Sequence, residues 1–134
     1  MFRFLLFFAL LLTPIQAKPR RLDGKMTWYS MDDNNSKIGS RDNMLRLFKS
    51  VATNPESDIP FGTRIYIPAL RGMPLGGGRH DGWVRVEDTC RGGPCQFLDL
   101  YVGTNGHRDF YRKWMKSKHP THDPDLFPIK AFIY

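Results

Sequence analysis

The sequence predicts an all-β fold, a barrel or a sandwich of five or six short strands with two small helices inserted between them. Short runs rich in β-branched and aromatic residues recur along the chain. The segments between these runs are rich in glycine, proline and polar residues, which is typical of turns and loops. Strands do not alternate regularly with long helical patterns, which disfavours a βαβ fold.

In the first half, "MTWYS" (26–30) predicts a strand, and the polar segment 31–40 predicts a loop. The run "RDNMLRLFKSVA" (41–52) predicts a helix, because its apolar residues recur at helical spacing and Ser40 or Asp42 can cap its start. This helix ends at Asn54, since the residue before a proline is pushed out of the helical region. The apolar residues that carry the pattern are Met44, Leu45, Phe48, Val51 and Ala52.

In the second half, "TRIYIP" (63–68) predicts a strand, and the segment 69–82, with five glycines and no periodicity, predicts a long loop. Two further strands are expected at 83–88 and 97–102. The segment 105–118 predicts an amphipathic helix that lies on the sheet through Phe110 and Trp114, with Tyr111 adjacent. "IKAFIY" (129–134) predicts the last strand.

Residues 1–17 are interpreted as a secretory signal peptide. Arg3 precedes an uncharged apolar block, 4–12, which is too short to span a bilayer as a helix, and Ala17 is a suitable small residue for cleavage. An uncleaved anchor is the alternative. Cleavage leaves 117 of the 134 residues, 18–134, which is enough for one domain with a single core. We therefore expect an exported, soluble monomer, periplasmic or secreted, that is not inserted in a membrane.

The chain is basic. Cleavage removes Arg3 and no acid, so 19 of the 20 basic residues remain against 13 acidic ones, a formal charge of +6. In an exported protein this charge favours an anionic envelope polymer or a membrane surface over nucleic acid, or it serves only solubility. Lys113, Lys116 and Lys118 are expected on the outer side of the last helix, against such a polymer or against water.

Cys90 and Cys95 are the only cysteines, and in an oxidising compartment their close spacing favours a disulfide over a metal pair. His107, His119 and His122 form a loose group, and the last two lie in a connection interrupted by prolines. Metal ligands need a defined element, so these histidines are interpreted as solvated loop residues. We expect no metal and no cofactor.

The segment 84–103, "VRVEDTCRGGPCQFLDLYVG", places Asp88 and Asp99 inside predicted strands, where aspartate is depleted and costly to bury without a partner. Strict alternation places Asp88 on the face of Val86, and Asp99 on the face of Tyr101. If the two strands pair across the turn, the two carboxyl groups come close together. Repulsion between them would then keep a proton on one group, as a general acid requires.

A structural interpretation of these aspartates is also open. Asp88 can cap the turn through Thr89, and Asp99 can pair with an arginine such as Arg64 or Arg85. The residue types alone do not choose between the two interpretations.

Four segments in order, "TWYS", "IPFGTRIYIP", "VEDT" and "LDLYVG", resemble the 3D domain, which is named for three aspartates. That domain is shared by membrane-bound lytic transglycosylase A and small exported cell-wall proteins, and the resemblance runs from about residue 26 to residue 134. It implies a six-stranded double-psi β-barrel with a groove that binds the glycan strands of peptidoglycan.

The resemblance also implies roles for the two aspartates. Asp99 would be the general acid and base that cleaves the bond between N-acetylmuramic acid and N-acetylglucosamine with a 1,6-anhydro product. Asp88 would support it through electrostatics and hydrogen bonding. No second carboxylate acts as a nucleophile or activates water, unlike in ordinary glycosidases.

Other residues are candidates for substrate binding. Tyr66, Trp83 and Tyr101 can stack on sugar rings, or they can be core residues. The first aspartate of the family precedes a proline, and in this chain Asn54 of "ATNP" takes that position, with Asp58 nearby as a possible substitute.

Two other functions remain open at the level of sequence. One is a non-catalytic carbohydrate-binding barrel of the barwin or expansin type. The other is a secreted effector or inhibitor that uses its basic surface to bind a protein.

Overall fold

Six strands close into a barrel in this computed structural model, which describes residues 18–34, 38–90, 95 and 97–134. The order around the barrel is β1, β7, β2, β6, β3, β8, and strands β4 and β5 form a separate hairpin. The predicted six-stranded barrel is confirmed. The strands are β1 (Arg20–Tyr29), β2 (Ser50–Thr53), β3 (Arg64–Tyr66), β4 (Pro74–Leu75), β5 (Gly78–Arg79), β6 (Trp83–Thr89), β7 (Leu98–Tyr101) and β8 (Phe127–Ile133).

Two of the six strand pairs in the barrel are parallel, β1 with β7 and β2 with β6, and the other four are antiparallel. Parallel pairing requires a crossover connection, because the chain must return to the same end of the barrel before the second strand starts. Two crossovers of this kind in one six-stranded barrel agree with the double-psi topology that the sequence predicts.

Apolar residues from all six barrel strands form the main core. Helix α2 (Asn105–Lys118) has the bounds that the sequence predicts, and Thr104 caps it through a hydrogen bond from the His107 N–H. The helix buries Tyr111 and Met115, so its packing face is one residue further along than predicted. The core residues of the strands include Met26, Val51, Ile65, Val86, Leu98, Leu100 and Ile129.

The predicted helix over 41–52 is wrong. Phe48 has φ +58°, in the left-handed region that a helix cannot contain, and Ser50–Thr53 forms β2 between β6 and β7. Phe48 is buried, and its ring stacks on Tyr111 with 6.2 Å between the ring centres. A non-glycine residue in this region costs about 1–2 kcal/mol, which the burial of a phenyl ring can offset.

The connections also differ from the prediction. A four-residue helix, α1 (Met31–Asn34), begins the segment that was expected to be a loop. Strand β1 starts at Arg20, earlier than the predicted strand 26–30, because its first part pairs with β8. The long glycine-rich segment contains a 3₁₀ turn, Pro68–Leu70, and the β4–β5 hairpin.

The signal peptide predicted for residues 1–17 lies outside the described residues. Within the part of the chain that the structure describes, no helix has the length and apolar character needed to cross a membrane.

Candidate functional site

Asp88 and Asp99 lie in one row across the outer face of the barrel, on either side of Ala52. Ala52 of β2 is in register with Asp88 of β6 and with Asp99 of β7. The sequence interpretation considered direct pairing of the two aspartate strands. They do not pair, because the strand of Ala52 lies between them. Because neighbouring strands lie about 4.8 Å apart, the backbones of the two aspartates are roughly 10 Å apart.

A β-bulge brings Asp88 into this row. In the pairing of β2 with β6, Val51 lies opposite Val86, but the next residue, Ala52, lies opposite Asp88, so Glu87 is passed over. Val86 is a core residue, whereas Asp88 shares the outer face with Ala52. The expected placement of Asp88 on the face of Val86 is thus wrong, because a bulge reverses the alternation at the point where it is inserted.

Asp88 accepts three hydrogen bonds. The Tyr29 hydroxyl donates to Oδ2 at 2.9 Å, and the backbone N–H groups of Ser40 and Thr89 both donate to Oδ1 at 2.9 Å. The contact with Thr89 is the turn-capping interaction that the structural interpretation of Asp88 expected. The other two contacts come from distant parts of the chain, so Asp88 fastens β1 and the 38–46 segment to the end of β6.

The hydroxyl of Tyr29 contacts one carboxyl group of the row, that of Asp88, and is influenced by the charge of the other. Burial raises the pKa of Tyr29 above its ordinary value, and the negative charge of Asp88 and then that of Asp99 raise it further. Tyr29 is therefore protonated at neutral pH and acts as a hydrogen-bond donor to Asp88. Its ring contacts that of Tyr101, with 5.5 Å between the ring centres.

Asp99 is half-buried in the middle of β7. The Thr27 hydroxyl, from the residue in register on β1, donates to Asp99 Oδ1 at 2.9 Å. The two arginines considered as partners from the sequence make other contacts. The guanidinium of Arg64 lies over the ring of Trp83, and Arg85 Nε donates to the Gly62 carbonyl at 3.2 Å.

A disulfide between Cys90 and Cys95 closes one end of the site, which confirms the predicted pairing. The side chain of Asn54 donates from Nδ2 to the Cys95 carbonyl at 2.9 Å, and the Cys90 N–H donates to the Thr53 carbonyl at 2.9 Å. Asn54, predicted as a substrate-binding residue, thus holds the disulfide against the end of β2.

Three of the predicted substrate-binding residues lie away from the row. Tyr66 and Trp83 pack together with 5.3 Å between their ring centres, and Trp83 lies at the opposite end of β6, about 16 Å along the strand from Asp88. Asp58 pairs with Arg20 at 2.7 Å, and both side chains are exposed. Among the predicted aromatic residues, Tyr101 is the one beside the aspartate row, two residues after Asp99 on β7, where its ring contacts that of Tyr29.

The sequence interpretation missed Thr27, Tyr29 and Ser40. Thr27 and Tyr29 occupy alternate positions of "MTWYS", so the strand period already places them on one face. That signal could have identified them. Ser40 was expected to cap a helix, and no sequence pattern indicates that its N–H contacts Asp88.

No protein-family model and no curated protein matches the sequence. Among solved structures, the chain is similar to an apo form of an aspartate-to-alanine variant of the E. coli lytic transglycosylase MltA, with a TM-score of 0.45 and 17% sequence identity. The match covers 72% of this chain and 26% of that one, so this chain corresponds to about a quarter of the length of that enzyme.

Proposed function

We propose that the chain is a lytic transglycosylase that cleaves the glycan strands of peptidoglycan between N-acetylmuramic acid and N-acetylglucosamine. The observation that carries the proposal is the shared outer face of Asp88 and Asp99, which are held on either side of Ala52 by different donors. The sequence resemblance to the 3D domain supplies the expected chemistry.

Asp99 is the proposed general acid and base. Its proton passes to the glycosidic oxygen as the bond from that oxygen to the anomeric carbon of the muramic residue breaks. The resulting carboxylate then takes the proton of the 6-hydroxyl of the same sugar, whose oxygen forms a bond to the anomeric carbon. The product is a 1,6-anhydro sugar, Asp99 regains its proton, and no water is consumed.

Asp88 is proposed as an electrostatic partner. It accepts the hydrogen bonds from Tyr29, Ser40 and Thr89, an arrangement that suits a carboxylate rather than a proton donor. The transition state of glycoside cleavage carries positive charge on the sugar ring. A fixed negative charge beside it stabilises that state without reorganisation.

The test is digestion of purified sacculi, with 1,6-anhydro muropeptides detected by mass spectrometry. The wild type is expected to release them, and Asp99→Asn is expected to lower the rate by about 100-fold or more, the usual contribution of a general acid. Asp23→Asn is the matched control, because Asp23 is an exposed carboxylate that pairs with Arg21 on β1. Equal rates for Asp99→Asn and wild type would refute the assigned role.

We also propose that the protein works after export. Cleavage would remove residues 1–17 and leave residues 18–134 as a single domain. The Cys90–Cys95 disulfide supports this, since disulfides persist mainly in oxidising compartments. Sequencing the N-terminus of the exported protein should give Lys18 as the first residue. An intact Met1 would contradict the proposal.

A non-catalytic carbohydrate-binding barrel is the second candidate, favoured by an aromatic stripe formed by residues of β3 and β6 and by the residue that follows β8. Trp83 lies between Tyr66 and Tyr134, with 5.3 Å between ring centres on each side, and Tyr134 is exposed. Flat aromatic faces of this kind offer large rigid contact areas to a sugar ring. Binding of the wild type to sacculi without anhydro product, and loss of binding in Trp83→Ala, would favour this function over the first.

A further inference from the structure

A groove of about 610 Å³ lies between the end of α2, the start of β8 and the 3₁₀ turn. Its volume is in the range of small-molecule sites, about 300–1,000 Å³. Its charged lining residues are all basic, and none of its lining residues belongs to the aspartate row. The basic and imidazole side chains are Arg71, Arg79, Lys118, His119, His122 and Lys130.

Each of the two arginines makes one hydrogen bond within the protein. Arg79 donates from Nη1 to the Gly72 carbonyl at 2.9 Å, and Arg71 donates from Nη1 to the Tyr66 hydroxyl at 3.4 Å. Each of these bonds uses one of the five N–H donors of a guanidinium. The donors that remain on each guanidinium are suited to bidentate recognition of phosphate oxygens.

The opposite wall is also ordered. The ring of Phe127 contacts two imidazoles edge-on, with its centre 4.9 Å from that of His119 and 5.4 Å from that of His122, and the two imidazole centres are 6.1 Å apart. Partial burial lowers the pKa of His119, and the neighbouring His122 and Lys118 lower it further. The positive charge of the groove comes from its arginines and lysines, and a bound anion would offset that charge.

We propose that this groove binds a soluble ligand with several phosphate groups, whose oxygens contact Arg71, Arg79, Lys118 and Lys130. Four cationic side chains without an acidic partner in the lining favour an oligoanion over a neutral sugar. The groove is also too large for a single phosphate group to fill. This site is separate from the proposed catalytic row, so either assignment can fail without the other.

The test is titration calorimetry with sodium tripolyphosphate at low and at physiological salt. Lys118→Gln/Lys130→Gln removes two charges from the groove, and Lys25→Gln/Lys113→Gln removes two exposed charges from β1 and α2 outside it. We expect the wild type to bind more weakly as salt increases. We expect the groove variant to lose about tenfold or more in affinity and the control variant less than about twofold.

Several results would overturn the proposal. If the wild type does not bind tripolyphosphate, the groove is not a phosphate site. If the two double variants lose equal affinity, the binding depends on overall charge and not on the groove. Binding to phosphatidylglycerol vesicles without binding to tripolyphosphate would assign it to a membrane surface. Displacement of tripolyphosphate by neutral chitotetraose would assign it to glycan. Arg79→Gln gives an independent variant if the lysine double variant does not keep the wild-type melting temperature.

Discussion

The hydroxyl of Tyr29 donates a 2.9 Å hydrogen bond to Asp88, although two strands of the barrel, β7 and β2, lie between the strands that carry them. The Tyr29 side chain is itself buried. Asp88 therefore depends on a residue almost 60 positions earlier in the chain for its orientation. This contact joins the stability of the barrel to the geometry of the proposed site.

Tyr29→Phe should destabilise the protein. The substitution keeps the ring but leaves one oxygen of a half-buried carboxylate without its donor, which costs about 1.5–3 kcal/mol for a hydrogen bond to a charged group. Urea unfolding of the variant and the wild type measures the difference. Tyr134→Phe, at an exposed position, is the control and should change the free energy of unfolding by less than about 0.5 kcal/mol.

The same variant tests the proposed chemistry. If Asp88 acts through its charge and orientation, Tyr29→Phe should slow the release of anhydro muropeptides more than Asp23→Asn does, while binding to sacculi is retained. Equal rates for these two variants would mean that the Tyr29 contact serves stability alone.

Local signals allowed part of the fold to be predicted. Helix α2 has an amphipathic pattern that lies within the segment itself, and its bounds were predicted correctly from that pattern. The segment 41–52 has a similar apolar spacing, but Phe48 is in the left-handed region and Val51 belongs to a strand that pairs on both sides. Tertiary pairing decided the structure there, and the spacing alone could not show it.

The candidate site was predictable in its residue types but not in its geometry. Asp88 and Asp99 stand out because aspartate is rare within strands. Their common face depends on the bulge at Glu87 and on the insertion of β2 between their strands. Both features are set by pairing with a segment 30 or more residues away, which no local pattern encodes.

Loss of the Cys90–Cys95 disulfide should lower stability by roughly 2 kcal/mol, because a cross-link over a loop of this size restricts the unfolded chain. Cys90→Ala/Cys95→Ala and reduced wild type should give similar melting temperatures, both below that of oxidised wild type. Reductant should not change the melting temperature of the double variant, since the chain has only these two cysteines. A reductant effect on the double variant would show that another process is measured.

Gly82→Ala should destabilise the protein by about 1–3 kcal/mol. Gly82 has φ +89°, and a Cβ at this position would approach Tyr66 Cε1 to 2.5 Å. Gly77→Ala is the matched control in the same long segment, because a Cβ there would meet nothing within 4 Å. Chemical denaturation measures both variants. Similar losses in the two would mean that flexibility of the segment, rather than the contact with Tyr66, is responsible.

The buried imidazole of His80 should make stability fall in mild acid. The Gly82 N–H donates to its Nδ1 at 2.8 Å, so the ring proton is on Nε2, which donates to the Phe48 carbonyl at 2.7 Å. Burial lowers the pKa of His80, and nearby Lys49 also lowers it, while the Phe48 carbonyl and the charge of Asp81 act in the opposite direction. The folded protein thus holds a neutral ring below the ordinary pKa of histidine, about 6.5.

The unfolded chain binds this proton more readily than the folded protein does. The stability that His80 contributes is therefore present above about pH 6.5 and is lost as the pH falls towards the lowered pKa of the folded state. The free energy of unfolding falls by up to about 1.4 kcal/mol per pH unit in this range. Urea unfolding at pH 8 and pH 5.5 measures this loss. His80→Gln should be less stable than the wild type at pH 8 but should lose less on acidification, because glutamine does not titrate. An unchanged slope in His80→Gln would show that other groups cause the acid sensitivity.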